Sequence, residues 1–203
     1  MTKILLGPAG TPAKSTLDGL AEIQKLGLQA MEVQFSHGIN MSLDLARRIG
    51  EENKRAGISL SVHAPYFINL ASADKKKVEE SRKRIIDSCE RAALMGSRTV
   101  VFHPGFYSLG EKSFDAVETA IADIKNHIEK KKWEVELAPE TTGKVNQFGQ
   151  LDELERIVKK VRCGVCIDFS HIYARNRGKI NYAEVLDWRL SRSQKSCCAG
   201  SRT

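Results

Sequence analysis

No stretch of this 203-residue chain approaches the roughly 20 consecutive apolar residues that cross a bilayer. The start, Met1-Thr2-Lys3 running into Ile4-Leu5-Leu6, has no basic-then-apolar leader with a cleavage site. Both absences predict a cytoplasmic protein with no membrane partner. The five cysteines are an odd count, which argues against a disulfide framework. Cys163-x-x-Cys166 has a zinc or redox spacing, but no second pair follows at finger distance, and both cysteines read as structural. Two phosphate-binding signatures are missing as well. No G-x-G-x-x-G follows the first apolar segment, and no G-x-x-x-x-G-K-[ST] occurs anywhere. Acidic residues are in modest deficit, giving a net charge of +7. Four of those positive charges, Arg189, Arg192, Lys195 and Arg202, stand after Asp187 with no acid among them, leaving residues 1–187 at +3. A body that mildly basic is compatible with a polyanionic partner without requiring one.

What the chain does contain is a regular alternation. Short apolar segments at 3–6, 31–35, 58–62, 99–102, 135–137 and 165–167 read as strands. Between them lie helical spacings. Leu17, Leu20, Ala21 and Ile23 stop at Gly27, and Leu45, Ala46 and Ile49 run from Ser42 to Gly57. A long helix over 73–95, with Val78, Ile85, Ile86, Cys89 and Ala93 inward, stops at Gly96. Val117, Ile121, Ile124 and Ile128 mark a fourth helix, Leu151, Leu154, Val158 and Val161 a fifth, and a sixth opens at Tyr182. Alternating strands and helices at this period predict an α/β fold, a parallel sheet covered by helices. Polar residues at the C-terminal end of every strand favour a closed (β/α) barrel over a doubly wound sheet. The barrel is unfinished: about six of eight βα units are present, where a complete one takes about 250 residues. Residues 1–187 form this partial barrel domain. Residues 188–203, with Leu190 and no periodicity, read as a divergent, disordered tail.

The strand ends carry the chemistry. His63, His103 and Glu140 end three consecutive strands, and neighbouring strands lie about 4.8 Å apart, so the three side chains can converge on one cation. Two imidazoles and a carboxylate make an open, catalytic-type zinc set. Glu140 has a second oxygen to bridge to another ion, which Asp168 helps to hold; His171 reaches a third ion or only supports the second. Closely spaced metals activate water and clamp a phosphoryl oxygen, which suits phosphodiester hydrolysis. Around this set the readings stay open. Tyr66 either stacks on a base or sugar or packs in the core. His37 either touches substrate or is structural, and Lys144 either pairs with a phosphate or solvates its loop. His127, on the far side of its helix, reads as exposed.

At these residues a resemblance becomes specific. Residues 61–70 (SVHAPYFINL), 102–105 (FHPG), 139–143 (PETTG) and 166–171 (CIDFSH) resemble, in order, motifs of the endonuclease IV family of apurinic/apyrimidinic endonucleases, in an archaeal-like form. The resemblance spans residues 3–187. It implies a xylose-isomerase-like TIM barrel whose three-zinc centre cleaves double-stranded DNA 5′ to abasic sites in base excision repair, with no protein partner evident. By position it implies His63 and His103 as ligands of the first zinc and Glu140 as the bridge between the first and second. It likewise implies Asp168 on the second, His171 on the third, and Tyr66 in a loop facing the DNA. The family's remaining ligands, a His, an Asp-x-His pair and a Glu on the last two strands, have no counterpart here. One complete zinc site, and weak or absent activity of this chain, are the expectation. Two other readings stand beside it: a sugar isomerase or epimerase on the same kind of barrel, and a truncated, non-catalytic fragment that self-associates through open sheet edges.

Overall fold

Four strands pair in parallel in the order in which the chain makes them. The computed structural model describes residues 4–187, so the tail expected at 188–203 lies outside the described residues. The strands are β1 (Ala30–Gln34), β2 (Ser59–His63), β3 (Thr99–Phe102) and β4 (Glu136–Pro139), in sheet order β1-β2-β3-β4. The helices are α1 (Thr16–Lys25), α2 (Leu43–Ala56), α3 (Lys75–Met95), α4 (Ser113–Lys131), α5 (Leu151–Val161) and α6 (Phe169–Arg175). A doubly wound sheet reverses its strand order at a switch point. This sheet has no reversal, as the predicted singly wound α/β barrel type requires.

Period-two alternation sorts the strand residues onto two faces. Met31, Val33, Leu60, Val62, Val100, Phe102 and Leu137 join the core under the helices. The opposite face takes Glu32 and Gln34, Ser61 and His63, and Thr99 and Val101, with Glu32 level with Ser61 and His63 level with Val101. Continued one step past the strand ends, the same alternation puts His103 and Glu140 on that second face. Glu140 N–H donates to the Phe102 carbonyl at 3.0 Å.

The first and last expected strands need correction. Residues 4–9 run beside β1 but make one parallel bridge, Ala9 to Glu32, and Ile4, Leu5 and Leu6 are exposed at 80, 42 and 61%. Residues 165–167 likewise make one bridge, Cys166 to Glu140, and are half-buried rather than covered on both faces. Each segment has a strand neighbour on one side only among the described residues, and each makes a single bridge there.

The helices start where side chains can cap them. Ser15 accepts from Asp18 N at 3.1 Å, Ser42 from Leu45 N at 3.2 Å and Asp74 from Lys76 N at 2.9 Å. The Asp74 cap starts α3 two residues later than its apolar pattern predicts. The buried stripe of α3 matches the expected one in part: Ile85 and Cys89 face inward as expected, joined by Ser81, Ser88, Ala92 and Met95, while Val78, Ile86 and Ala93 are half-buried. Small residues bring this helix close to α2, where a Cβ built on Gly50 would meet the Leu94 carbonyl oxygen at 2.1 Å. The hydroxyls of Ser81 and Ser88 are satisfied by the Lys77 and Arg84 carbonyls one turn back.

Candidate metal centre

Each ligand candidate is placed by a strand end. His63 is the last residue of β2, His103 and Glu140 directly follow β3 and β4, and Asp168 is the N-cap of α6. The Asp168 carboxylate accepts from His171 N at 2.9 Å, starting a short helix that the sequence reading does not assign. His63, His103 and Glu140 offer ligand atoms that all lie within 4.8 Å of one another, and so do Glu140, Asp168 and His171. Glu140 belongs to both sets. Its Oε2 is 3.0 Å from His63 Nε2 and 2.8 Å from His103 Nε2, and its Oε1 is 3.7 Å from His171 Nδ1. The Asp168 Oδ2 is 3.4 Å from the same His171 nitrogen.

Hydrogen bonds settle which imidazole nitrogens are bare. His63 Nδ1 is 2.8 Å from the Ala64 carbonyl and His171 Nδ1 is 2.8 Å from the Thr141 carbonyl. A carbonyl only accepts, so both Nδ1 atoms carry the proton, and in the neutral rings Nε2 keeps its lone pair. His63 therefore points a lone pair at a carboxylate oxygen, an arrangement that needs a proton or a metal ion between the two. His103 Nε2 is buried 2.8 Å from Glu140 Oε2 and has no other polar partner among the described residues. Ligand atoms around a tetrahedral zinc stand about 3.3 Å apart, so the two imidazole-to-carboxylate separations have to open by only a few tenths of an ångström. The first set therefore fits a cation. In the second set the nearest His171 nitrogen is held by Thr141, which leaves Asp168, the free Glu140 oxygen and His171 Nε2.

The electrostatics agree. Burial alone would raise the Glu140 carboxyl, but the His103 and His63 imidazoles hold it down to about 2. Burial lowers the His63 imidazole, and the Glu140 carboxylate, the Ala64 carbonyl and the charge of Glu32 more than reverse this, leaving it raised above 6.5.

These groups sit in a cleft of about 440 Å³ that Tyr66, Glu32 and Gln34 also line. The Tyr66 ring, 47% exposed, lies 5.4 Å from that of His63 and 5.7 Å from that of His103, so it roofs the imidazoles rather than entering the core. His37 is exposed in the turn after β1, and Lys144 is exposed in the turn after Glu140; neither lines this cleft. His127 is half-buried beside Trp133 rather than exposed as expected. Cys163 is buried and its thiol is pushed up to about 12 by burial and by Glu136, which keeps it protonated and structural.

Sequence reasoning missed the supports. Thr141 Oγ1 accepts from Asp168 N at 2.9 Å and is 3.2 Å from the Asp168 carbonyl, tying the loop after β4 to the start of α6. Asn69 accepts from Phe106 N at 3.2 Å and donates to Ser108 at 2.9 Å, tying the His63 loop to the His103 loop. The only signal for either is its place inside a quoted motif. Among the described residues no helix is long and apolar enough to cross a membrane.

Comparison with known proteins gives the family of the fold. The chain is similar to an uncharacterised protein of Methanocaldococcus jannaschii, 38% identical over 182 residues, or 88% of this chain and 66% of that protein. It is similar to the apurinic-apyrimidinic endonuclease of Caenorhabditis elegans, 36% identical over 61% of this chain and 33% of the relative. Among solved structures, endonuclease IV of Thermus thermophilus superposes with a TM-score of 0.66 at 25% identity, covering 81% of this chain and 62% of that one. Several sugar epimerases, at 14–22% identity and TM-scores of 0.63–0.69, share the fold alone. The chain thus spans from one third to just under two thirds of the length of these two relatives. The xylose isomerase-like TIM barrel family matches residues 20–193, and the chain belongs to that family.

Proposed function

We propose that this chain carries the hydrolytic centre of a zinc-dependent endodeoxyribonuclease that cleaves the phosphodiester 5′ to abasic sites in double-stranded DNA. The observation that supports this most is the buried Glu140 carboxylate enclosed by His63, His103 and His171, with one oxygen turned to each of two donor sets. His63, His103 and Glu140 would hold one cation; Glu140, Asp168 and His171 would hold a second, less completely. When bound, such ions polarise a phosphoryl group and lower the pKa of the attacking water. The chain's own residues do the rest. Glu140 remains ionised down to about pH 2 and so bridges the two sets at any working pH. Ala64 and Thr141 fix the imidazole tautomers through their carbonyls. Tyr66, at the mouth of the cleft, offers a ring on which the sugar or base beside the lesion stacks.

The test is incision of an abasic-site duplex by the purified chain. We expect slow cleavage, present only with zinc, leaving a 3′-hydroxyl and abolished by Glu140→Gln. Incision that survives that substitution or a chelator contradicts the reading. Ketose epimerisation with magnesium or manganese, in place of incision, would support a sugar epimerase instead.

A further inference from the structure

The loop that follows Glu140 is held from the other side by one guanidinium. Arg175, the last residue of α6, donates through Nη1 to the carbonyls of Lys144 at 2.7 Å and Gln147 at 2.9 Å, and more distantly to the Thr142 carbonyl and hydroxyl at 3.4 and 3.3 Å. Its Nη2 donates to the Tyr107 hydroxyl at 3.2 Å. That hydroxyl donates to Glu153 Oε2 at 2.7 Å and accepts from the Gln150 amide at 3.2 Å. The same Glu153 oxygen accepts from the backbone N–H of Gly149 and Gln150 at 3.2 and 2.9 Å. Every hydrogen bond described here for the guanidinium goes to this loop or to Tyr107. Both ends of that loop are thereby pinned. Its start carries Glu140 and the Thr141 carbonyl that holds His171, and α6 carries Asp168 at its cap and His171 in its first turn.

We propose that Arg175 is a positioning residue for the second donor set, fixing the helix of Asp168 and His171 against Glu140. The inference rests on reading the cluster as a metal centre. A planar fork that satisfies several carbonyls at once holds a loop in one shape, which a flexible ammonium does not. Gly143 shows how closely the two parts fit, since a Cβ there would stand 3.2 Å from His171 Cδ2. Tyr107 and Glu153 extend the clamp to the loop after β3 and to α5 without touching any ligand. By contrast, His63 and His103 are placed by β2, β3 and Asn69. The clamp therefore acts most directly on the second donor set, which shares Glu140 with the first.

The chain has five histidines, so its imidazole carbon-bound protons give a simple spectrum for a zinc titration by nuclear magnetic resonance. In the unsubstituted chain, His63 and His103 should respond at low zinc and His171 at higher zinc. Arg175→Met should raise the zinc concentration at the His171 midpoint about tenfold, the usual scale for losing a ligand's support, with the other two midpoints unmoved. Arg175→Lys should not restore it. Tyr107→Phe should raise the same midpoint severalfold, and it decides the matter alone if Arg175→Met does not fold. A His171 midpoint that stays put in the folded variants, full recovery with lysine, equal weakening at all three histidines, or no His171 response in the unsubstituted chain would each overturn the inference. Absence of any response at His63 and His103 in the unsubstituted chain would instead overturn the metal-centre reading on which it rests.

Discussion

Glu140 is the residue on which both donor sets turn, and its charge state sets the pH behaviour of the site. Its folded carboxyl is held at about 2, below its ordinary 4.5, so its contribution to stability is complete above 4.5 and is lost as pH falls through about 2. His63 runs the other way. Its folded imidazole is raised above 6.5, so its contribution is complete below 6.5 and is lost as pH rises through the folded value. The metal-free pair is therefore most stabilising between 4.5 and 6.5. Zinc needs the nitrogen that the His63 proton occupies, so zinc affinity should rise with pH through the His63 titration, with about one proton released per ion near pH 6.5. Calorimetry in buffers of different ionisation enthalpy reads that proton directly; affinity independent of pH from about 5.5 to 7.5 would contradict it. His63, His103, Glu140 and Asp168 were legible in the sequence because each ends a short apolar run, and period-two alternation puts the first three on one face; His171 was legible only by its place in the last motif. Thr141, Arg175, Tyr107 and Asn69 were not. Arg175 meets its partners 28 to 68 residues away, and no local pattern encodes such pairing.

Among the elements, helix starts were readable where Ser15 and Ser42 announce them. Two helix ends were not, because Lys132 and Arg162 take up the left-handed conformation at φ 57° and 58°, where a sequence reader looks for glycine. The short α6 was missed because it is too brief to show a period, its only marker being the Asp168 cap. Gly50 gives an element-scale prediction whose sign opposes propensity. Glycine to alanine inside a helix ordinarily stabilises by about 1 kcal/mol. Here the added methyl meets the Leu94 backbone oxygen, so Gly50→Ala should destabilise by about 1–3 kcal/mol, read as a lower denaturant midpoint. A raised midpoint would show that α2 and α3 do not pack as closely as described. Asn69→Ala removes the side-chain acceptor of Phe106 N and Ala71 N, one bond exposed and one half-buried, and should cost about 1 kcal/mol. It should also weaken zinc binding at His103, which a zinc titration of the variant checks.

At the scale of the molecule, the sheet runs from residues 4–9 through β1 to β4 and on to residues 165–167, with each outer segment paired on one side only among the described residues. Exposed Ile4 and Leu6 lie along one such edge, which favours self-association. Size exclusion of the chain should show species larger than 22.6 kDa, reduced by Ile4→Lys with Leu6→Lys; a clean monomer would count against open edges. The architecture itself was foreseeable from alternation alone, whereas the weak pairing of its two outer segments was not, because their apolar runs look like those of the paired strands. The central claim is that side chains delivered by three successive strands share one ion. Metal content after zinc loading and exhaustive dialysis tests it most directly. The chain should retain about one zinc, and His63→Ala with His103→Ala should retain none. A chain that retains no zinc, or a double variant that retains as much, would contradict the account.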